Sequence, residues 1–488
     1  MEEHMTAAKQ MNDRADDAQL EALGYTASFD RKMSLWGNFA LGFTYLSPVV
    51  GVYTLFAFAL ATGGAPMFWS YLLVGIGQFL VCLVFAEIVS QYPIAGGVYP
   101  WARRLIGDRW GWMTGWVYLW ALATTVAAVA MGAGPYLAAL AGFEPSPFVN
   151  TVTAILIIAV STLFNLAGTK VLARVAMMGF LCELGGALIV GAWLLAFGRE
   201  QPFSVLFDTF SVTGEGSYLP AFLAAGLAGI FQYYGFEACG DVAEEVPNPS
   251  RAIPRAMRLT IYVGGAAAMF VCLALILAVK DMGAVIAGQD TDPVWTVLTT
   301  NFGETGARVV LLVVLVSFLS CVLSLQAAAS RLMFSFARDG MLPASRALAR
   351  LSSTHVPNVA LVICGIVPAI ITVGGYFLSN AVAVVVSFAA VGIYIAFQMV
   401  VFAAISARLR GWKPSGPFNL RGWGVPVTLL AFAYGVSAII NLAWPRMPDA
   451  NWYENYAVLL TSAVVVAAGL FVLPFMRRAA GGPAVAGE

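Results

Sequence analysis

Residues 33–86, Met33 to Ala86, contain no Asp, Glu, Lys or Arg. A soluble chain of ordinary composition carries a charge about every fourth residue, and a helix needs ~20 apolar residues to cross the hydrocarbon of a bilayer. This stretch is long enough for two crossings and has to be split. ATGGAP at 61–66 supplies the turn residues for that, and GGYFLSN at 374–380 splits a second apolar stretch, 356–407, in the same way. Of the 488 residues, 60% are hydrophobic and 11% charged, and mean hydropathy is +0.82. The chain reads as an all-α polytopic membrane protein.

Apolar windows between charged or Gly/Pro-rich loops predict twelve transmembrane helices. They lie near 34–61, 66–92, 112–138, 149–167, 171–198, 218–246, 255–280, 304–337, 357–377, 380–407, 425–444 and 454–475. With the N-terminus in the cytoplasm, every Lys and Arg except Arg199, Lys280, Arg308 and Arg446 falls inside. WARRLIGDRW, PSRAIPRAMR, RDGMLPASRALAR and RLRGWKPSG all land on that side. Both termini are therefore expected to be cytoplasmic, in a multi-pass protein of the cell membrane. Residues 1–30 lack the apolar core of a signal peptide. They read as a polar cytoplasmic tail, of which 1–25 are expected to be dispensable, and 477–488 read as a second tail.

Composition also narrows the function. Zero formal net charge and the absence of a basic cluster exclude a nucleic-acid partner. The cysteines, Cys82, Cys182, Cys239, Cys272, Cys321 and Cys364, all lie in apolar spans without metal-ligand spacing, as small apolar fillers do. His4 and His355 are too isolated for a metal site or a catalytic dyad. Neither a phosphate-binding GxxxxGK[ST] motif nor a paired His/Asp/Cys or Ser/His set is present. An enzyme and an ATP-driven pump are disfavoured. No filter-like carbonyl motif argues for a channel. The partners expected are the bilayer and a small-molecule substrate, without a bound cofactor.

Two predicted spans are interrupted. The first contains Pro48 and Gly51 in SPVVGVY. The sixth, QYYGFEACGDVAEEVPNP, turns to glycines, aromatics and acids at Gly235–Gly240. Backbone freed by such breaks cannot face lipid. Breaks in the first and sixth spans hold equivalent positions if spans 1–5 (31–200) and 6–10 (201–410) are inverted repeats, with two further helices in 411–476. Paired interruptions of this kind point to a transporter's midplane site.

Three motifs carry a resemblance. AEIVSQYPIAGGVYPWARRLIGDRWGWMTGW (86–116), GFEACGDVAEEVPNPSRAIPRA (235–256) and SRLMFSFARDGMLP (330–343) resemble, in order, signatures of the amino acid–polyamine–organocation (APC) permeases, leaning toward the amino acid/choline branch. The resemblance covers roughly residues 30–475. It implies a LeuT-like fold of five-plus-five inverted repeats with two extra helices, and alternating access around the broken helices. It implies a secondary active permease importing an amino acid or related small amine. Choline, a polyamine or a γ-amino acid as substrate, and exchange in place of symport, remain open.

Residues in and beside the breaks are the candidate site. The amides of Val49, Val50 and Gly51, with Ser47, open the outer half of span 1 and suit a carboxylate; valines stand here where the family is richer in glycine. Tyr45 and Tyr53 flank the break and can stack on a cation. Tyr233, Tyr234, Gly235, Phe236 and Glu237 occupy the second break, where carbonyls and an acid suit an amine. Glu183 of span 5 lies about 18 Å into the membrane at ~1.5 Å per residue. Relatives often place a lysine nine residues after a matching arginine, here Arg174, beside the site sodium fills in sodium-coupled members. Glu183 is the candidate for proton coupling, or with Ser320 or Ser324 for a sodium site. Glu87, Gly96, Gly97, Arg103, Asp241, Glu244 and Glu245 are read as gating or structural. Glu87 is expected to anchor the loop PIAGGVYPWARR, and Glu244 and Glu245 to pair with Arg103, Arg104 or Arg251.

Overall fold

The computed structural model describes residues 13–377, 381–446 and 451–479. These residues form helices and connecting turns, with no strand among them. Among the described residues, eleven helices are long and apolar enough to cross a membrane, and the interrupted segment Leu219–Glu245 lies where the sixth crossing is expected. With that segment counted as span 6, spans 1–5 are Leu35–Gly63, Ala65–Gln91, Asp108–Ala141, Pro147–Leu166 and Thr169–Phe197. Spans 7–12 are Pro249–Ala278, Pro293–Arg338, Asn358–Tyr376, Ala381–Leu409, Gly424–Ala443 and Ala457–Ala479. Span 8 is kinked at Gly303, φ 65°, and the predicted 304–337 is the stretch beyond the kink.

The spans divide into an interior and a rim. The most apolar window of span 1 is 83% buried, and those of spans 3 and 10 are 78% buried. Span 4 is 22% and span 12 only 6% buried, displaying Leu156, Leu163, Leu470 and Phe471 outward. A soluble protein would not leave so continuous an apolar surface in water. Against hydrocarbon it is the matching surface, so the chain is a multi-pass membrane protein.

The basic loops gather at one end, the basic end. Five ion pairs tie it together, and they correct the predicted partners of Glu87, Glu244 and Glu245. Glu245 accepts from Arg331 of span 8 at 2.7 and 3.1 Å and from Thr169, all buried. Glu244 accepts from Arg338 at 2.9 and 3.0 Å and from the Ala95 amide at 3.0 Å. Arg103 binds Asp339 and Asp108, each at 2.6 Å, while Arg104 donates to the Leu23 carbonyl and Arg251 is exposed. Glu87 accepts from Arg408 and from the Leu420 amide at 2.9 Å. It therefore anchors the connection between spans 10 and 11, not the loop that follows its own span.

The N-terminal segment also departs from expectation. Residues 13–22 are helical and the chain after them is docked across the basic end. Asp16 accepts from the Asn248 amide at 2.8 Å, and Gln19 accepts from Ser250 at 2.9 Å. Leu20 is buried, and the Phe29 ring packs edge-on to Phe334 at 4.9 Å. Tyr25 reaches Asp339 at 3.3 Å, with the Arg338 guanidinium over its ring at 4.2 Å. Burial first, and the charge of Asp339 second, push the Tyr25 phenol above its usual range, which keeps it a donor.

Two outcomes follow. Arg331→Met leaves Glu245 buried without its cation and is expected to cost about 3–5 kcal/mol of stability. Arg331→Met with Glu245→Gln should recover part of that loss in unfolding measured in detergent. Equal loss in the single and double variants would show that the charge is not what matters. Deleting residues 1–30 should speed hydrogen exchange in the loop 92–107, read by mass spectrometry; unchanged exchange there would show that the tail covers nothing.

Candidate substrate site

Span 1 unwinds at Ser47. Pro48 begins the outer half-helix Pro48–Gly63 without an N–H to offer the inner half Leu35–Leu46. Ser47 takes φ 39°, a left-handed conformation that is costly for any residue with a Cβ. The carbonyls released by the break are answered from neighbouring spans. Gln232 Nε2 donates to Leu46 O at 3.1 Å and Ser47 O at 3.4 Å, and the Cys321 thiol donates to Tyr45 O at 3.3 Å.

Span 6 unwinds between Leu227–Gln232 and Ala238–Asp241. Gly235 has φ 117°, and a Cβ there would stand 2.6 Å from the Leu46 nitrogen. Only glycine lets the two broken backbones touch at this point. Gly51 has a similar reason, since a Cβ on it would fall 2.2 Å from Gln232 Oε1. The two breaks therefore face each other and are stitched by Gln232.

Beside them is a small hollow, with room for about one water. It is lined by Tyr45, Val50 and Gly51 of span 1, Phe231 and Tyr234 of span 6, Thr125 of span 3 and Cys321 of span 8. Gln232 Oε1, behind the lining, is buried without a partner, and the buried hydroxyls of Tyr45 and Tyr234 lean only loosely on Glu237 and Thr125. Unsatisfied buried polar atoms are uncommon and call for a partner.

The remaining predicted residues are distributed unevenly. Tyr53 is buried outside the lining, where its carbonyl accepts from Tyr136 at 3.0 Å. Tyr233 turns away from the hollow toward Gly75 and Gly265, its hydroxyl 3.4 Å from Gly265 O. Phe236 packs among Phe85 and Phe397 at 5.9 and 5.6 Å. Glu237 folds back on its own break, accepting from Gly235 N at 2.7 Å and from Tyr118 at 3.1 Å. Asp241, also fully buried, accepts from the same Tyr118 at 3.3 Å.

Span 5 brings the largest correction. Glu183 Oε1 accepts from Ser47 Oγ at 2.6 Å and from the Val49 amide at 2.9 Å. Val50 N leans on Ser47 Oγ at 3.4 Å, and Gly51 N donates to Ser47 O at 3.0 Å. All three amides expected to receive a substrate carboxylate are thus engaged, one of them by the protein's own carboxylate. Helix N-termini favour anions, and Glu183 is the anion this one has. Its Oε2 is buried without a partner. Ser324 bonds Thr44 at 2.8 Å and Ser320 bonds Ser317 O at 3.1 Å, so neither pairs with Glu183.

Sequence reasoning missed Gln232, Tyr118 and Thr125. Gln232 was legible in principle, as a lone amide among apolar residues one position before the break. Tyr118 and Thr125 sit in a span whose small and aromatic residues give no sign of which face looks inward.

The comparisons with known proteins fit this architecture. The family model described as amino acid permease matches residues 33–464. The amino-acid permease BAT1 of Arabidopsis thaliana is 26% identical, over 93% of this chain and 94% of its own length. Its homolog from Oryza sativa subsp. japonica is 25% identical over 93% and 92%. An uncharacterized amino-acid permease of Schizosaccharomyces pombe is 26% identical over 92% and 84%. With nearly all of its spans inside one family model and relatives of matching length, the chain belongs to the amino acid permease family of the APC superfamily, and is a transporter, not an enzyme.

Proposed function

We propose that the protein is a secondary active permease that imports an amino acid or closely related small amine across the cytoplasmic membrane by alternating access, with a proton as the coupling ion. The observation that carries this reading is the meeting of two broken helices around a small hollow with open polar groups. Breaks in spans 1 and 6 suit a LeuT-like pair of inverted repeats, in which one repeat rocks against the other around the site. The basic end, with its ion pairs and docked N-terminal segment, is then the closed cytoplasmic gate.

The open groups favour the amine end of a substrate. Gln232 Oε1 can accept from an ammonium, and the rings of Tyr45 and Tyr234 offer π faces to its charge. The carboxylate end is less well served, because the amides of Val49, Val50 and Gly51 are engaged. That observation favours, as a second reading, a solute whose carboxylate is absent or distant from its amine, such as choline, a polyamine or a γ-amino acid.

Glu183 is the residue we assign to coupling. While ionised, it holds span 5 to the break in span 1 through Ser47 and Val49. A proton on it weakens both bonds as acceptor contacts and frees the break to move. Its partnerless oxygen is the place for that proton. Sodium is less suited, since Ser320 and Ser324 are bonded elsewhere.

Counterflow in proteoliposomes tests the permease reading. Preloading with an unlabelled substrate should drive transient accumulation of labelled solute; leakage without counterflow across amino acids, choline and polyamines would sink it. Glu183→Gln keeps the geometry but cannot lose a proton. It should retain counterflow and lose proton-driven accumulation; full accumulation driven by a pH gradient would remove Glu183 from the coupling role.

A further inference from the structure

Glu237 and Asp241 share one hydroxyl. Tyr118 Oη of span 3 lies 3.1 Å from Glu237 Oε1 and 3.3 Å from Asp241 Oδ2, and all three residues are fully buried. A phenol has a single proton to donate. Were both acids ionised, one of them would meet only lone pairs at Tyr118. Like charges at this spacing repel, and the interior screens them weakly.

No cation offsets the pair among the described residues. The titratable groups around it are Tyr45 of span 1, Cys82 of span 2, Tyr118 of span 3, Tyr234 and Cys239 on span 6 and Tyr394 of span 10. Arg331 of span 8 is bound to Glu245, Arg338 to Glu244 and Arg103 to Asp339. Arg258 of span 7 lies over the Phe418 ring at 4.7 Å.

The donors are divided unequally. Glu237 accepts the Gly235 amide as well as Tyr118, whereas Asp241 Oδ1 has no donor. A carboxylate is most stable where donors are most numerous. If Asp241 is the acid that holds a proton, one chain of donation satisfies all three groups, from Asp241 Oδ2 to Tyr118 and from Tyr118 to Glu237.

Asp241 also carries the loop that closes the basic end. Gly96 N–H donates to the Asp241 carbonyl at 2.9 Å, and a Cβ on Gly97, φ 42°, would stand 2.5 Å from Asp241 Oδ1. The indole of Trp101 packs over both Gly97 and Gly240. The loop packs directly against Asp241.

We propose that Asp241 is a proton-binding site that latches the loop 92–98 over the basic end, distinct from Glu183. Protonated, Asp241 is neutral and the loop closes on it. When the proton leaves Oδ2 for water at the basic end, two facing carboxylates remain and are relieved by solvent, which enters as the loop lifts. On closure a proton returns to the same oxygen, and no other bond changes. The assignment of this loop as a transport gate rests on the permease reading; the proton count does not.

The test uses the full chain in lipid. Infrared difference spectra between acid and alkaline buffer should contain a protonated carboxylic C=O band that Asp241→Asn abolishes and Glu183→Gln keeps. Hydrogen exchange of the peptide 92–105, referenced to intrinsic rates, should rise several-fold on alkalinisation, and should not rise in Asp241→Asn. Tyr118→Phe retains both acids but removes the bridge, and should move the band to higher frequency. A band that survives Asp241→Asn, one unmoved in Tyr118→Phe, or loop exchange indifferent to pH overturns the proposal. None of these readouts needs a transported solute, so absent counterflow would retire the permease reading while leaving this one to stand or fall alone.

Discussion

Hydrocarbon offers nothing to a backbone N–H or carbonyl, and the centre of this protein is built around that fact. An unbroken helix satisfies itself; a broken one has to be satisfied by something else inside the protein. Here the break in span 1 is answered by side chains from other spans. Gln232 takes the Leu46 and Ser47 carbonyls, Cys321 takes that of Tyr45, and Glu183 takes the Val49 amide. The Ser47 backbone is held in a left-handed conformation by these contacts together. Strain of this kind persists only where its surroundings over-determine it, so the break is a designed feature of the fold and moves only if those partners move.

Much of the frame was legible because membrane crossing is a matter of length and charge. Residues 33–86 had to be two spans, and the structure turns at Gly64 between Gly63 and Ala65. The breaks in spans 1 and 6 were legible because Pro48 lacks the N–H that a continuing helix needs and the polar, glycine-bearing stretch 235–240 disfavours one. Which side chains face the hollow was not. Tyr233 and Tyr234 are adjacent in an unwound segment, where neither the helical nor the strand period assigns a face, and they point to opposite sides. Tyr53 stands two residues after Gly51 on a regular helix, which carries it out of the lining.

Ion pairing at the basic end was the least legible part. The asymmetry of Lys and Arg along the chain says which loops gather, not which charge meets which. Glu87 and Arg408 are more than three hundred positions apart, and Glu245 reaches across to span 8. The predicted partners Arg103 and Arg104 lay nearer in sequence to the second-span motif. Buried acids choose by geometry: Arg331, with no exposed surface, meets Glu245 as a two-point fork.

The three central acids differ in what satisfies them, and that difference orders their roles. Glu183 has a hydroxyl and a helix N-terminus on one oxygen and nothing on the other. Glu237 has a donor on each oxygen. Asp241 has one shared donor and a glycine loop pressed against its other oxygen. A fully satisfied carboxylate is stable as an anion and is poorly suited to change state during a cycle. The two with an open oxygen sit where change is useful, one at the break in span 1 and one under the loop at the basic end. Under the two proposals above, a single proton-sensitive group at each would let the hollow and the basic end respond separately.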